Sequence, residues 1–350
     1  MLDYLIVGFG LAGVSFSEQL LQHDKSFVVL SEETKSSSVV AGGMYNPVIL
    51  KRFTSPWNAI PQHDYALPFF KAIEQRLNCS VLNPMSVLRV FTDAEEQNNW
   101  LIASDKPNLA PFLSSNFITN TNHSILAHSN FGEVLHAGRL NVANLLSAYK
   151  ADLLQKSQYY NHAFEHSQLQ VHDDHVSYND LKAKHVVFAE GFGMLNNPYF
   201  NYLPLNGTKG EVLIIESEEL NLSAIVKSSV FIIPYDQPNQ YLVGATYHWT
   251  DKTWQTTNEA KEELLSKLNT LITCDYKVVD QKAGIRPTVK DRRPLVGQHP
   301  KYKNLHVLNG MGTRGVMVAP LMSKHLFDAI ENGVSLDTEI DCSRFAELYS

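Results

Sequence analysis

Cysteine is scarce: Cys79, Cys274 and Cys342 are the only three in 350 residues. An odd, widely spaced trio builds neither a disulfide framework nor a Cys-x-x-Cys metal site, and a cytoplasmic location is the expectation. Cationic excess is missing too. Lys and Arg number 29 against 36 Asp and Glu, a net charge of −7, which argues against a broad nucleic-acid or anionic-membrane footprint. No apolar run reaches the ~18 residues of a membrane helix. Leu5-Ile6-Val7 is short and follows Asp3 rather than a basic flank, so it does not read as a secretory signal. Internal repeats, low-complexity tracts, His-Glu-x-x-His, the Gly-x-Ser-x-Gly elbow and a phosphate loop ending in Gly-Lys-Ser/Thr are all absent. Fourteen histidines occur, yet neither His162 with His166 nor His172 with His175 has convincing ligand spacing, so no metal is expected.

What remains, 44% hydrophobic and 19% charged residues, suits two domains or one large α/β unit with an inserted partner. The chain opens as strand, glycine turn, helix, strand. Tyr4–Val7 and Phe27–Leu30 are apolar runs of the kind buried on both faces of a parallel sheet. Between them stand Gly8-Phe9-Gly10-Leu11-Ala12-Gly13 and a helical pattern over Val14–Gln22. Such a turn has a mechanical use. Gly8 allows the tight bend, Gly10 lets a pyrophosphate approach the backbone, and Gly13 lets helix and strand pack closely. The helix N-terminus then meets the phosphates with unpaired N–H groups and partial positive charge. At the end of the second strand Glu32 or Glu33 is placed to accept from ribose hydroxyls. Strict counting from Gly8 puts Ser31 there instead, and the choice stays open. The turn alone does not separate NAD from FAD.

Further on, helical patterns cover Asp64–Leu77, Leu140–Leu154, Glu259–Leu271 and Val316–Asn332. Residues 80–135 read as short strands and polar turns. A hairpin is expected around His172–His175, buried strands at His185–Ala189 and Asn304–Leu308, and an antiparallel sheet over the β-branched runs of 206–250. Dinucleotide-type pieces at the start, middle and end, with β-rich material between, predict two interleaved domains.

Read in order, several segments resemble the D-amino acid oxidase-like family of FAD-dependent oxidoreductases, in particular its glycine oxidase and sarcosine oxidase branch. They are the opening turn, Ala41-Gly42-Gly43-Met44, Val187-Phe188-Ala189-Glu190-Gly191, Lys209-Gly210-Glu211 and Tyr241–Thr246. Ala283-Gly284-Ile285-Arg286-Pro287, Asp291–Gly297 and Asn309-Gly310-Met311-Gly312-Thr313-Arg314-Gly315 complete the series. The resemblance implies an α/β fold in which a Rossmann-like FAD-binding domain (1–75, 140–205 and 288–350) is interleaved with a substrate domain built on an antiparallel sheet (76–139 and 206–287). It implies FAD, held by the opening turn, by Ala41–Met44, by Ala189, Glu190 and Gly191, and by Gly312, Thr313, Arg314, Gly315 and Val316. Some relatives bond the flavin to a cysteine at a position that falls near Gly284 here. No cysteine lies there, so the flavin is expected to be non-covalent.

The implied activity is hydride transfer to flavin from a small amino acid or N-methyl amino acid. Arg286 would clamp the substrate carboxylate with two parallel hydrogen bonds; the plain alternative is an arginine tied to a structural carboxylate such as Asp291. The Gly312–Gly315 loop, with the helix after it, would favour negative charge on the reduced flavin, and the Arg314 side chain could reach substrate or solvent. Tyr247, Tyr45 and Tyr235 are pocket-wall candidates, Tyr247 foremost. Phe231 stands where the glycine oxidase pattern has a tyrosine, which weighs against glycine itself as substrate. Lys51 and Arg52 read as surface charges. The closing stretch Gly310–Leu321 also resembles the FAD domain that demodifies carboxymethylaminomethyl-uridine in tRNA, but the acidic balance leaves a small-molecule partner as the expectation. A flavoprotein without amine activity is the third reading. Oligomeric state is not legible.

Overall fold

The protein is described here by a computed structural model covering residues 1–32, 36–127 and 130–349. The strand Leu2–Val7 pairs in parallel with Phe27–Leu30 on one side and Leu181–Phe188 on the other. Leu305–Asn309 and Tyr159–Tyr160 extend the parallel set, and Leu295–Gln298 closes one edge antiparallel. Strands inside such a sheet are covered on both faces, which is why they read as unbroken apolar runs. Tyr4, Ile6, Val29 and Val187 pack on residues of the helices Leu11–Gln22, Val142–Gln155 and Gly315–Asn332. Leu5, Val7, Val28 and Phe188 pack on the opposite layer with Tyr178, Met194 and Phe200.

A second sheet has seven strands in the order Lys277–Val289, Leu205–Glu216, Gln240–Gly244, Phe231–Pro234, Ile225–Lys227, Val87–Val90 and Phe131–Val134. Every pairing is antiparallel except that of Ile225–Lys227 with Val87–Val90. Alternation sorts its residues. Val212, Ile214, Ile233 and Leu242 meet the segment containing Val40, Met44 and Val48, whereas Leu213, Ile215, Ile232 and Val243 cover the helix Asn258–Asn269. A small third sheet joins Met44–Tyr45, Gly138–Leu140 and Leu82–Pro84. The first sheet takes its strands from 2–30, 159–188 and 295–309, and the second from 87–134 and 205–289, so the chain crosses between them repeatedly.

One stretch departs from expectation. Residues 80–135 hold, besides strands, the helix Ala94–Ser104. Asp93 caps it by accepting from Glu96 N at 2.7 Å, and Glu96 accepts in return from Thr92 N at 2.8 Å. That reciprocal arrangement is a capping signal in a helix whose only large buried side chain is Trp100.

Candidate active site

At the opening turn Gly8 adopts φ +103°, and a Cβ there would lie 2.5 Å from the Ala189 carbonyl oxygen. A Cβ on Gly13 would lie 2.1 Å from the oxygen of Gly8. The bend and the strand–helix contact therefore require glycine. Gly10 is the N-cap of the helix Leu11–Gln22 and supplies no side-chain cap; Leu11 N donates to Ser38 Oγ at 3.3 Å. Such a helix start presents first-turn N–H groups and positive potential to an anion. Phe9 turns its ring to Tyr159 and Tyr149, and Ala12 packs on the helical core. The Ser31 peptide is held by Tyr159 Oη and by the Tyr160 carbonyl. Glu32 beside it is exposed, and Glu33 lies outside the described residues.

The other implied flavin segments converge on this turn. Ala189 N donates to Val7 O, and Gly315 sits 3.4 Å from Leu11 Cδ1, measured from an added Cβ. Asn309 Nδ2 donates to Gly191 O at 2.8 Å, and Gly312 N donates to Pro287 O at 3.1 Å. Gly191 and Gly312 both have positive φ, with nothing within 4 Å of an added Cβ. Gly191 and Gly312, open at their Cβ positions, stand near the two helix starts at Leu11 and Gly315, whose first-turn N–H groups suit an anionic group. Gly42 meets Ile233, and Gly43 fits under Leu140, whose carbonyl oxygen would be 2.0 Å from a Cβ. Ala41 ends the short helix Ser37–Val40, and Met44 packs beneath the second sheet. Thr313 is exposed, and Val316 is buried among the helices. The Glu190 carboxylate is committed elsewhere: it takes His166 Nε2 at 2.9 Å and Asn197 Nδ2 at 2.7 Å.

Arg286 lies on Lys277–Val289, the edge strand of the second sheet. Its guanidinium crosses Gly210, where a Cβ would be 2.1 Å from Nη2. It donates only long hydrogen bonds, 3.3 and 3.4 Å to Thr246 O and 3.4 Å to Lys209 O. Among the described residues it has no carboxylate partner. Asp291, the structural alternative, pairs with Arg344 at 2.9 Å instead. Burial lowers the pKa of Arg286, opposed by Tyr247, whose ring lies 5.0 Å from the guanidinium carbon. Tyr247 is 45% exposed and so is no core tyrosine.

Arg314 points inward. Nη1 donates to Asn46 O at 2.5 Å and Nη2 to Val48 O at 3.4 Å, and burial pushes its pKa down to about 10. Its side chain thus anchors the 46–48 segment. Tyr45 is buried, which pushes its hydroxyl up to about 12. Tyr235 stacks against Arg139, and Lys51 and Arg52 are exposed. Phe231 has Lys227 over its ring, 4.6 Å from the centroid. Among the described residues no three His, Cys, Asp or Glu side chains converge as a metal site, and no helix is long and apolar enough to cross a membrane.

A buried ionic cluster behind Arg286 escaped sequence reasoning. Lys209 Nζ, fully buried, contacts Asp251 at 2.6 Å, Glu211 at 3.3 Å and the Gln255 carbonyl at 2.5 Å. Glu211 in turn accepts from Thr257 N and Gln281 Nε2. With the backbone bridge between Lys209 and His248, the cluster pins the loop that carries Tyr247. The only sequence signal was the Lys209-Gly210-Glu211 triplet.

The βαβ unit with its glycine turn, joined to a second, mostly antiparallel sheet that carries Arg286, is the frame of a nucleotide-dependent enzyme. The family profile described as DAO, FAD dependent oxidoreductase, matches residues 3–329, and the chain belongs to that family. Glycine oxidase of Bacillus subtilis (strain 168) is 29% identical over 162 residues, covering 44% of this chain and 42% of that protein. The tRNA 5-methylaminomethyl-2-thiouridine biosynthesis bifunctional protein MnmC of Actinobacillus pleuropneumoniae serotype 3 (strain JL03) is 24% identical over 208 residues, 49% of this chain and 31% of that protein. Each match thus spans less than half of the curated relative. In fold, the crystal structure of glycine oxidase from Geobacillus kaustophilus superposes with a TM-score of 0.78 at 19% identity, over 96% of both chains. The protein is an FAD-dependent enzyme.

Proposed function

We propose that the enzyme oxidises the C–N bond of a small amino acid or N-methyl amino acid. One observation carries the reading: the Arg286 guanidinium, with no carboxylate partner among the described residues, lies across Gly210 and beside Tyr247 on the edge strand of the second sheet. A planar fork in that position matches a substrate carboxylate. Bound FAD supplies the two-electron acceptor. Held by its carboxylate, the substrate presents the adjacent C–H; the carbon gives up hydride, the neutral amine nitrogen closes a C=N bond, and water then releases amine and carbonyl acid. Arg286 orients, and Tyr247 flanks it at the open side. The start of helix Gly315–Asn332 would offer its partial positive charge to the bound cofactor, while Arg314 holds the neighbouring 46–48 backbone.

Residues 1–75, 140–205 and 288–350 form the FAD-binding unit in this reading, and 76–139 with 206–287 the substrate unit. The flavin is held without a covalent bond to cysteine. Cys79, Cys274 and Cys342 lie outside the converging segments: Cys342 meets Gln298 O, and Cys274 lies 3.5 Å from Ser217 Oγ. A net charge of −7 supports a free small molecule over tRNA.

The test is anaerobic mixing of the FAD-loaded protein with D-amino acids and N-methyl amino acids, followed by flavin absorbance. The expected result is bleaching that Arg286→Ala abolishes at the same substrate concentration while FAD stays bound. If no amine bleaches the native protein, the flavin serves another donor and the reading fails.

A further inference from the structure

Arg286 shares its face of the second sheet with another cation, Lys227, that has no carboxylate partner among the described residues. Residues opposite each other on a ladder lie on one face, as do residues two apart on a strand. Gly284, two before Arg286, turns toward Val40, 3.1 Å from an added Cβ, and stands opposite Gly210. Two residues beyond Gly210, Val212 pairs with Gly244, Gly244 with Phe231, and Phe231 with Lys227. Val212 and Phe231 pack in the layer that holds Val40 and Met44. Neither Gly210 nor Gly244 raises a side chain, so the floor is low between the guanidinium and Phe231.

Lys227 closes the strand Ile225–Lys227 and lays its stem along Phe231, with Nζ 4.6 Å from the ring centroid. It donates one hydrogen bond, 3.3 Å to Ser229 O. The charged groups packed around it are already paired. Arg89 on the neighbouring strand donates to Glu96 and to Ser228 O, and Lys267 on the helix Asn258–Asn269 pairs with Glu263. Burial, with Arg89 and Lys267 adding to it, pushes the Lys227 pKa down to about 8. An ordinary lysine, near 10.4, holds its proton throughout the neutral range; an amine so lowered can both take and release one there. Lys227 stands three strands from Gly210, and its stem leans back by one. At about 4.8 Å per strand and two residues of offset, roughly 10–12 Å separates the two cations. A carboxylate on the guanidinium, the next carbon, its amine and one water span that gap.

We propose that Lys227 is the general base of the reaction, taking the proton of the substrate ammonium through one water before hydride leaves. The inference rests on the amine-oxidising reading and supplies a step that reading needs, because an ammonium nitrogen has no lone pair to close a C=N bond. The proton passes from the substrate nitrogen to water, and a proton of that water passes to Lys227 Nζ, which becomes the ammonium. The freed lone pair then forms the C=N bond as the neighbouring carbon gives its hydride to the bound cofactor. Lys227 returns its proton to solvent between turnovers. The Phe231 face steadies the charged form of the amine, while Arg89 and Lys267 keep that form from being permanent.

The test is the anaerobic rate of flavin bleaching in the FAD-loaded protein, at saturating amine, from about pH 6.5 to about pH 10. Sarcosine, D-alanine and D-proline are the probes, and the fastest of them is carried through the series. Lys227→Met is expected to slow bleaching at least tenfold near pH 7.5 and to move the rising limb up by at least one pH unit. Near pH 10, where the substrate loses its proton unaided, the variant should come within threefold of the native rate. Lys227→Arg keeps the charge but cannot act as a base, so it should behave like Lys227→Met. An unmoved limb in Lys227→Met, or a native profile in Lys227→Arg, would overturn the proposal. Flavin-to-protein absorbance and a thermal melt confirm that each variant is folded and loaded. Failure of the amine-oxidising reading looks different: no probe then bleaches the native protein at any pH, and the base falls with it.

Discussion

Gly210 and Arg286 share one patch of space: the guanidinium occupies the volume that any side chain at 210 would need, with Nη2 2.1 Å from an added Cβ. Gly210→Ala should push the far end of a flexible side chain aside rather than break the sheet. The expected outcome is a roughly tenfold or larger rise in KM for carboxylate-bearing amines. FAD content should be unchanged and Tm should move by no more than a few degrees. Steady-state kinetics beside a thermal melt will check it, and an unaltered KM would show that the guanidinium pose is not the one used.

Gly13 meets backbone rather than a movable tip, since the Gly8 oxygen is 2.1 Å from an added Cβ. Gly13→Ala should therefore prise the helix off the strand at a cost of about 1–3 kcal/mol. The purified variant is expected to lose most of its FAD. The ratio of flavin to protein absorbance reads the outcome directly.

Lys209→Met leaves the fully buried Glu211, and Asp251 with it, without their cation. Removing one partner of a buried pair costs about 3–5 kcal/mol. The loop 246–257 should also become the first site of limited proteolysis, with KM rising as Tyr247 loses its fixed position over Arg286. Equal protease resistance in both proteins would remove the anchoring role.

Acid should weaken the fold through His306. Burial, with His185 second, holds its pKa well below the ordinary 6.5, and its Nε2 lies 3.2 Å from His185 Nδ1. Burial likewise lowers His185. Below pH 6.5 the unfolded chain takes up protons that the native imidazoles refuse. Stability is thus complete above that pH and falls as pH drops, by up to about 1.4 kcal/mol per pH unit for each group. Urea midpoints between about pH 5 and pH 8 should follow this trend, and His306→Leu should flatten it.

How legible this was depended on what each residue needed from its neighbours. The opening βαβ unit could be read because doubly covered strands are apolar at every position, and because Gly8 and Gly13 have no substitute. The capping pair Asp93 and Glu96 did mark the helix Ala94–Ser104, but with Trp100 as its only large buried anchor the apolar periodicity was too faint to notice. Arg286 was found through its motif, yet that Asp291 pairs with Arg344 rather than with Arg286 is something no local pattern records. Lys209 was named only within the Lys209-Gly210-Glu211 triplet, and its burial rests on Asp251 and Gln255, more than forty positions away. Glu190 fell in a flavin motif while its carboxylate serves His166 and Asn197.

The short helix Ser37–Val40 touches two distant parts of the chain. Ser38 Oγ receives the N–H of Leu11 at the opening glycine turn, and Ser37 Oγ donates to the carbonyl of Ile285, next to Arg286. One short turn of chain thus ties the opening glycine turn to the strand that carries Arg286, so a shift of either segment is felt by the other.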